Sequence, residues 1–312
     1  MIEPTLKGRF APSPTGRMHL GNAFSALLSY LSIKSKGGKW VLRIEDLDHS
    51  RCKYEYARQL EEDLIWLGLE WDEGGTESTD YCQSNRSDIY EHYFKLLNDT
   101  GLVYPCFCTR ADINAAGAPH QSDGRVVYGG KCRPERLGGN FKGLVGQSRK
   151  PAWRIFVPDS NEYIEDLHYG HVGINLARDC GDFIIKRSDG TAAYQLAVVV
   201  DDALMGITEV IRGRDLLISG PQQKWVHNLL GFNAPQFGHL PLLCAQDGRR
   251  LCKRDRDMDF CELRKRYTAE ELTGILAHAA GLADTDEPTT ARALIKKFSW
   301  DRIPAEDIIS NI

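Results

Sequence analysis

Between residues 22 and 35, apolar positions return every three or four places, with Phe24, Leu27, Leu28 and Leu31 on one helical face, and Gly37-Gly38 stops the run. A strand is predicted for 39–45. Residues 53–67 repeat the helical pattern, setting Tyr56, Leu60, Leu64 and Leu67 against a face of acids before Gly68. Residues 86–99 read as one more amphipathic helix. Strand and helix in alternation imply a parallel sheet with crossover helices. The periodicity lapses after Gly101: residues 103–178 are rich in Gly, Pro, Cys and turn formers, with only short candidate strands such as 152–157. This stretch reads as an insertion with a small fold of its own. Alternation resumes with strands expected at 182–186 and 194–200, joined as a hairpin by Arg187-Ser188-Asp189-Gly190. An apolar stretch ending at Arg212, a helix over 222–230 and a strand over 240–243 follow, and residues 259–312 read as helical and charged. The predicted class is α/β, a parallel sheet split by an insertion and followed by a short helical C-terminal region.

Composition narrows what such a chain can do. Its 312 residues, 42% hydrophobic and 26% charged, are enough to bury a large core. The formal net charge of -4 argues against wholesale coating of nucleic acid, so any RNA contact must rest on local basic patches. No basic segment followed by an apolar core opens the chain, and no apolar run approaches the ~20 residues that span a bilayer. A cytoplasmic protein without membrane contact is expected. Nine cysteines, an odd number, fit reduced thiols and a metal site better than a disulfide framework.

Five short strings carry candidate chemistry. Residues 9–22, Arg-Phe-Ala-Pro-Ser-Pro-Thr-Gly-Arg-Met-His-Leu-Gly-Asn, put a strand end, a Pro/Gly-rich turn and a His-x-Gly at the head of the first helix. Unpaired amides and the helix dipole favour negative charge there, so a nucleotide phosphate is the expected ligand. The strand over 39–45 runs into carboxylates, Arg43-Ile44-Glu45-Asp46-Leu47-Asp48, at the edge where α/β sheets place ligands. Val210-Ile211-Arg212 ends another apolar stretch in a planar guanidinium. Gly248 to Asp255 is a basic loop containing Arg250, Cys252, Lys253 and Arg254. In the insertion, Cys106-x-Cys108 precedes Tyr128-x-x-x-Cys132; three cysteines suggest a metal, and spacing alone offers His120 as the fourth ligand.

Taken in order, these strings resemble the glutamyl and glutaminyl branch of the class I aminoacyl-tRNA synthetases, from Arg9 to about Arg254. The first class signature, usually HIGH, reads His19-Leu20-Gly21-Asn22 here, and the place of KMSKS is held by Arg250, Cys252, Lys253 and Arg254. The resemblance implies a Rossmann-like catalytic domain in two halves, 1–100 and 181–255, an acceptor-binding insertion at 101–180 and a helical region at 256–312. It implies a glutamate pocket of Arg9, Ser13, Glu45, Tyr194 and Arg212, in which Glu45 holds the α-ammonium and Arg212 the side-chain carboxylate. Val198 stands where some members carry Asn. It also implies an ATP site of His19, Gly21, Asn22, Arg250 and Lys253, with magnesium accompanying ATP. Catalysis would fall to His19 and Lys253, which neutralise charge developing on the phosphates.

The Cys-x-Cys and Tyr-x-x-x-Cys pattern is similar to the zinc site of the glutamyl-Q subgroup, whose tyrosine oxygen completes the tetrahedron. That implies a structural zinc on Cys106, Cys108, Tyr128 and Cys132. Only 58 of the 312 residues follow Arg254, too few for the anticodon-binding region of a full glutamyl enzyme. The same subgroup is therefore indicated, in which glutamate is activated by ATP and passed to queuosine at the wobble position of tRNA(Asp). Lys131, Arg133, Arg136 and the 249–256 stretch are the expected phosphate contacts to the RNA, and a monomer is expected. The competing expectations are a shortened glutamyl-tRNA synthetase charging tRNA(Glu), an adenylate-forming transferase with a smaller acceptor, and a catalytically idle zinc-stabilised RNA-binding protein.

Overall fold

The computed structural model describes residues 5–115, 127–134, 150–248 and 259–310. Its centre is a five-stranded parallel sheet built from β1 (Lys7–Phe10), β2 (Lys39–Leu42), β3 (Glu73–Gly74), β9 (Glu209–Gly213) and β10 (Gln236–Leu240), in the order β10-β9-β1-β2-β3. Helices α1 (Leu20–Ser35), α2 (Tyr54–Trp66) and α3 (Ser87–Asp99) follow the first three strands, as the alternation predicts. Helix α1 buries Leu27, Leu28, Leu31 and Ile33 to 2% exposure or less. Each such side chain contributes about 1.5–3 kcal/mol relative to exposure. A second layer of core, with Phe260, Leu263, Leu272 and Leu276, covers the same cluster from the C-terminal side.

Between the halves of the sheet stand β4 (Val103–Cys106), a short helix α4 (Arg110–Ala115), β5 (Ala152–Ile155), the hairpin of β6 (Asn161–Asp166) and β7 (Gly170–Asn175), and β8 (Phe183–Lys186). Strands β4, β5 and β8 form a separate antiparallel sheet. Helices α5 (Tyr194–Leu204) and α6 (Ser219–Leu229) flank β9 in sequence, and β11 (Leu243–Cys244) follows β10. After α7 (Phe260–Arg266), α8 (Ala269–Ala279) and α9 (Ala291–Leu294), β12 (Ile308–Ile309) pairs with β11. Helix α8 opens on a reciprocal cap, Thr268 with Glu271, the Thr-x-x-Glu pattern that satisfies two helix-end donors.

Two expectations need correction. Residues 194–200 are helical, not the second arm of a hairpin. The turn at 187–190 forms, with the Arg187 amide donating to the Thr191 carbonyl at 2.8 Å, but Ala193 then acts as the cap of α5. Leu196 to Val200 are all buried, and a short apolar run enclosed on every side has no polar face from which to read its period. The 259–312 region is also not wholly helical, since its last described strand completes a two-stranded parallel sheet.

Candidate functional site

In an open parallel sheet the crevice lies where neighbouring strands leave in opposite directions, outside their carboxyl ends. Here that point is between β1 and β9, which pair with Gly8 opposite Glu209 and Arg9 opposite Val210. Arg9 and Arg212 lie near the carboxyl ends of these strands, Tyr194 opens α5, and Glu45 lies three residues beyond β2. His19, Gly21 and Asn22 stand at the N-terminus of α1. All seven line one cavity of about 170 Å³. Ser13 lines a neighbouring hollow of about 320 Å³ instead, whose wall shares Glu45 and Tyr194 with the first.

The floor of the cavity is a buried charge cluster. Arg9 uses Nε and one terminal nitrogen on the two oxygens of Asp202, at 3.2 and 3.4 Å. Arg43 donates to Asp202 at 2.6 Å and to Glu45 Oε1 at 3.0 Å. Burial raises the Asp202 pKa, but the Arg9 and Arg43 guanidiniums outweigh it and hold the carboxyl down at about 2. At Glu45 burial prevails over the same cations, and its pKa is raised. Behind them Asp201 accepts from Arg86 at 2.8 Å, Gln83 at 2.8 Å and the Tyr90 hydroxyl at 2.9 Å. Asp202, Asp201 and Arg43 escape sequence reasoning as site residues; a pair of acids closing the run Ala-Val-Val-Val is the signal that marks them.

Arg212 is held differently. It is 6% exposed and its partners are neutral acceptors: His239 Nε2 at 3.0 Å, Gln223 Oε1 at 2.8 Å and the Leu216 carbonyl at 3.3 Å. Burial lowers its pKa, and the Tyr194 phenol beside it acts in the opposite direction. A buried cation in this setting gains from a carboxylate entering the cavity, because its acceptors among the described residues carry no charge.

Local sequence explains the helix terminus. His19 is extended and caps α1, and its amide donates to Asn22 Oδ1 at 3.2 Å. The residue that departs from the HIGH pattern thus closes the first turn of the helix. A side chain at Gly21 would come within 3.2 Å of the His19 ring, so glycine lets that ring lie against the helix start. The second basic signature, with Arg250 and Lys253, lies outside the described residues, as do His120 and Arg136. Its flanks do not: Leu243 lines the cavity and Asp259 forms a β-bridge with His19.

Away from this cavity, Cys106, Cys108 and Cys132 place their sulfurs within 4.8 Å of one another. The Tyr128 oxygen is 3.5 Å from Cys106 Sγ and 3.6 Å from Cys108 Sγ, and Cys108 and Cys132 sulfurs are 3.5 Å apart. A tetrahedral zinc with bonds of about 2.3 Å to sulfur and about 2.0 Å to oxygen requires edges of about 3.5–3.8 Å. The donor set therefore fits that ion. Arg154 donates to Cys106 Sγ at 3.3 Å and lies 3.9 Å from the Tyr128 ring centre, which puts positive charge beside these donor atoms.

Comparison with known proteins agrees with this architecture. The family described as tRNA synthetases class I (E and Q), catalytic domain, matches residues 5–280, and the chain belongs to it, a class I synthetase-like ligase. Among curated relatives, the glutamyl-Q tRNA(Asp) synthetase of Symbiobacterium thermophilum is 44% identical, over 97% of this chain and 95% of that protein. The glutamate–tRNA ligase of Aquifex aeolicus is 46% identical over 80% of this chain, which spans only 51% of the ligase. The crystal structure of glutamate-tRNA synthetase from Elizabethkingia anophelis superposes with a TM-score of 0.83 at 28% identity, over 98% of this chain and 68% of that one. No described helix is long and apolar enough to cross a membrane.

Proposed function

We propose that the protein activates L-glutamate with ATP and magnesium to glutamyl-adenylate and transfers the glutamyl group to queuosine in the anticodon of tRNA(Asp). The observation that carries this reading is the single cavity bounded by Arg212, Arg9 and Glu45 on one side and by the amino end of α1 on the other. Arg212 takes the side-chain carboxylate of glutamate and Glu45 its ammonium. Tyr194, Arg9 and Ser13 close the pocket. The reacting carboxylate then faces phosphates held by His19, Gly21, Asn22, Arg250 and Lys253. Activation is a matter of positioning and charge stabilisation, with no side-chain nucleophile. The transfer to queuosine rests on the glutamyl-Q relatives, which match this chain along nearly their whole length, whereas the glutamate–tRNA ligase relative is about twice as long as its match.

The division into catalytic halves 1–100 and 181–255, insertion 101–180 and helical region 256–312 belongs to the same reading. So does a structural zinc on Cys106, Cys108, Tyr128 and Cys132, whose four protein ligands leave no position for substrate. A cytoplasmic monomer meeting its tRNA through Lys131, Arg133, Arg136 and residues 249–256 completes it. The test is charging of purified tRNA(Asp), with and without queuosine, using labelled glutamate. Label that enters only the queuosine-bearing RNA is the expected result; label that ignores queuosine, or that enters tRNA(Glu) instead, refutes the acceptor.

A further inference from the structure

We propose that His239, locked in one tautomer by Asp166, is a positioning residue that fixes the plane of Arg212 and thereby the preference for an acid over its amide. This rests on the glutamate pocket described above. His239 and Arg212 are partners in the parallel pairing of β10 with β9, so their side chains leave the sheet on the same face. His239 is fully buried. Its Nδ1 is 2.6 Å from Asp166 Oδ2, and its own backbone amide donates to Asp166 Oδ1 at 3.2 Å. The amides of His168 and Tyr169 donate to that same oxygen at 3.0 Å each.

Asp166 is therefore surrounded by donors, and its carboxylate form suits them. Burial raises its pKa, but the bond to His239 and the two amides outweigh this and leave it lowered. An ionised Asp166 can only accept, so His239 carries its proton on Nδ1 and turns a bare Nε2 toward Arg212 Nε, 3.0 Å away. No other protonation state serves both contacts. A proton on Nε2 would set an N–H against an N–H, and an imidazolium would set like charges side by side.

The consequence falls on the guanidinium. With Nε bound to His239, one Nη1 hydrogen to Gln223 and one Nη2 hydrogen to Leu216, three of the five donors are anchored among the described residues, and the other two are the ones a ligand would meet. Three anchors define a plane. A carboxylate answers the remaining pair with two oxygens, whereas an amide turns an NH₂ toward one of them and forfeits that bond. Asp166 also ends strand β6, and the next residue, Leu167, donates its amide to the Phe237 carbonyl at 2.8 Å. The hairpin thus reaches the amino-acid pocket through one carboxylate and one imidazole.

The experiment measures glutamate-dependent pyrophosphate exchange and glutamate and glutamine binding by calorimetry for wild type, His239→Leu, His239→Gln and Asp166→Asn. Leucine removes the acceptor; glutamine restores one near the position of Nε2; asparagine in place of Asp166 no longer commits the imidazole to one tautomer. The expected result for His239→Leu is a KM for glutamate raised roughly 10- to 100-fold, the range of one charged hydrogen bond. The KM for ATP should be unmoved, and the glutamate-to-glutamine affinity ratio reduced. His239→Gln should recover most of the loss, and Asp166→Asn should follow His239→Leu in direction. If His239→Leu does not fold, the other two variants decide by the same ratio. A folded His239→Leu or Asp166→Asn protein with wild-type glutamate KM overturns the inference alone, as does an equal rise in KM for glutamate and ATP. Wild-type protein that neither binds nor activates glutamate overturns the functional reading and this inference together.

Discussion

Replacing Arg212 by glutamine keeps an amide near the pocket but removes a buried cation whose acceptors among the described residues are all neutral. A glutamate side chain bound at the two remaining donors would form two charge-assisted hydrogen bonds, each worth about 1.5–3 kcal/mol. Their sum overstates the loss, because the glutamine amide can donate once and because neighbouring terms are not additive. A net cost of about 3–4 kcal/mol follows, which corresponds to a roughly 10²- to 10³-fold weaker interaction with glutamate. The fold should tolerate the change, since removing Arg212 also relieves the cost of burying a cation whose described hydrogen-bond partners are neutral. The assay is pyrophosphate exchange over a glutamate titration at saturating ATP, with circular dichroism to verify folding. Half-saturation should move up by that factor while the ATP response stays put. A folded R212Q protein that half-saturates within threefold of wild type would falsify the assignment of Arg212 to the substrate carboxylate.

Three further outcomes are expected. Asp202→Asn leaves Arg9 and Arg43 without the carboxylate they share and should cost about 3–5 kcal/mol of stability, read from urea midpoints. Because the folded pKa of Asp202, about 2, lies below its ordinary 3.8, its contribution is complete above about pH 4 and is lost as pH falls toward 2. Wild-type midpoints should fall across that window and the variant's should fall less; parallel curves would contradict the assigned charge state. Cys132→Ser should lower zinc per chain, measured by atomic absorption, and lower the Tm, whereas His120→Ala should retain the metal; full zinc content in the serine variant would remove Cys132 from the ligand set. Lys253→Ala should depress pyrophosphate exchange at every glutamate concentration, and normal exchange in that protein would dismiss Lys253 from the ATP site.

The parts of the site that sequence reveals are those written in contiguous strings. Turn, helix cap and glycine between Pro12 and Asn22 make one local unit, and a short string of this kind can be read without knowing what packs on it. The supporting partners are a different matter. Arg9 meets Asp202 from 193 positions away, and His239 meets Asp166 from 73 positions away. Nothing in a linear pattern orders such pairs; the sheet register does. The misread strand at 194–200 has a related cause, for its valines favour a strand locally and only enclosure between β8, α3 and α6 makes it a helix. Helix α5 carries both Tyr194 and the acids under the cavity, so its enclosure also builds the site. The cluster of Cys106, Cys108, Tyr128 and Cys132 is legible from spacing and resemblance, while the Arg154 guanidinium beside it, 48 residues from Cys106, is not.

Arg9 pairs with Val210, two residues short of Arg212, so the offset between these two cations is dictated by backbone bonding between adjacent strands. Strands in a sheet keep a spacing of about 4.8 Å whatever their side chains are. The separation of these two guanidinium-bearing positions is consequently written into the main chain: substitution can retune the charge at either position but not the offset between their backbones. Moving one of these positions relative to the other would call for a shifted register, which no single replacement supplies.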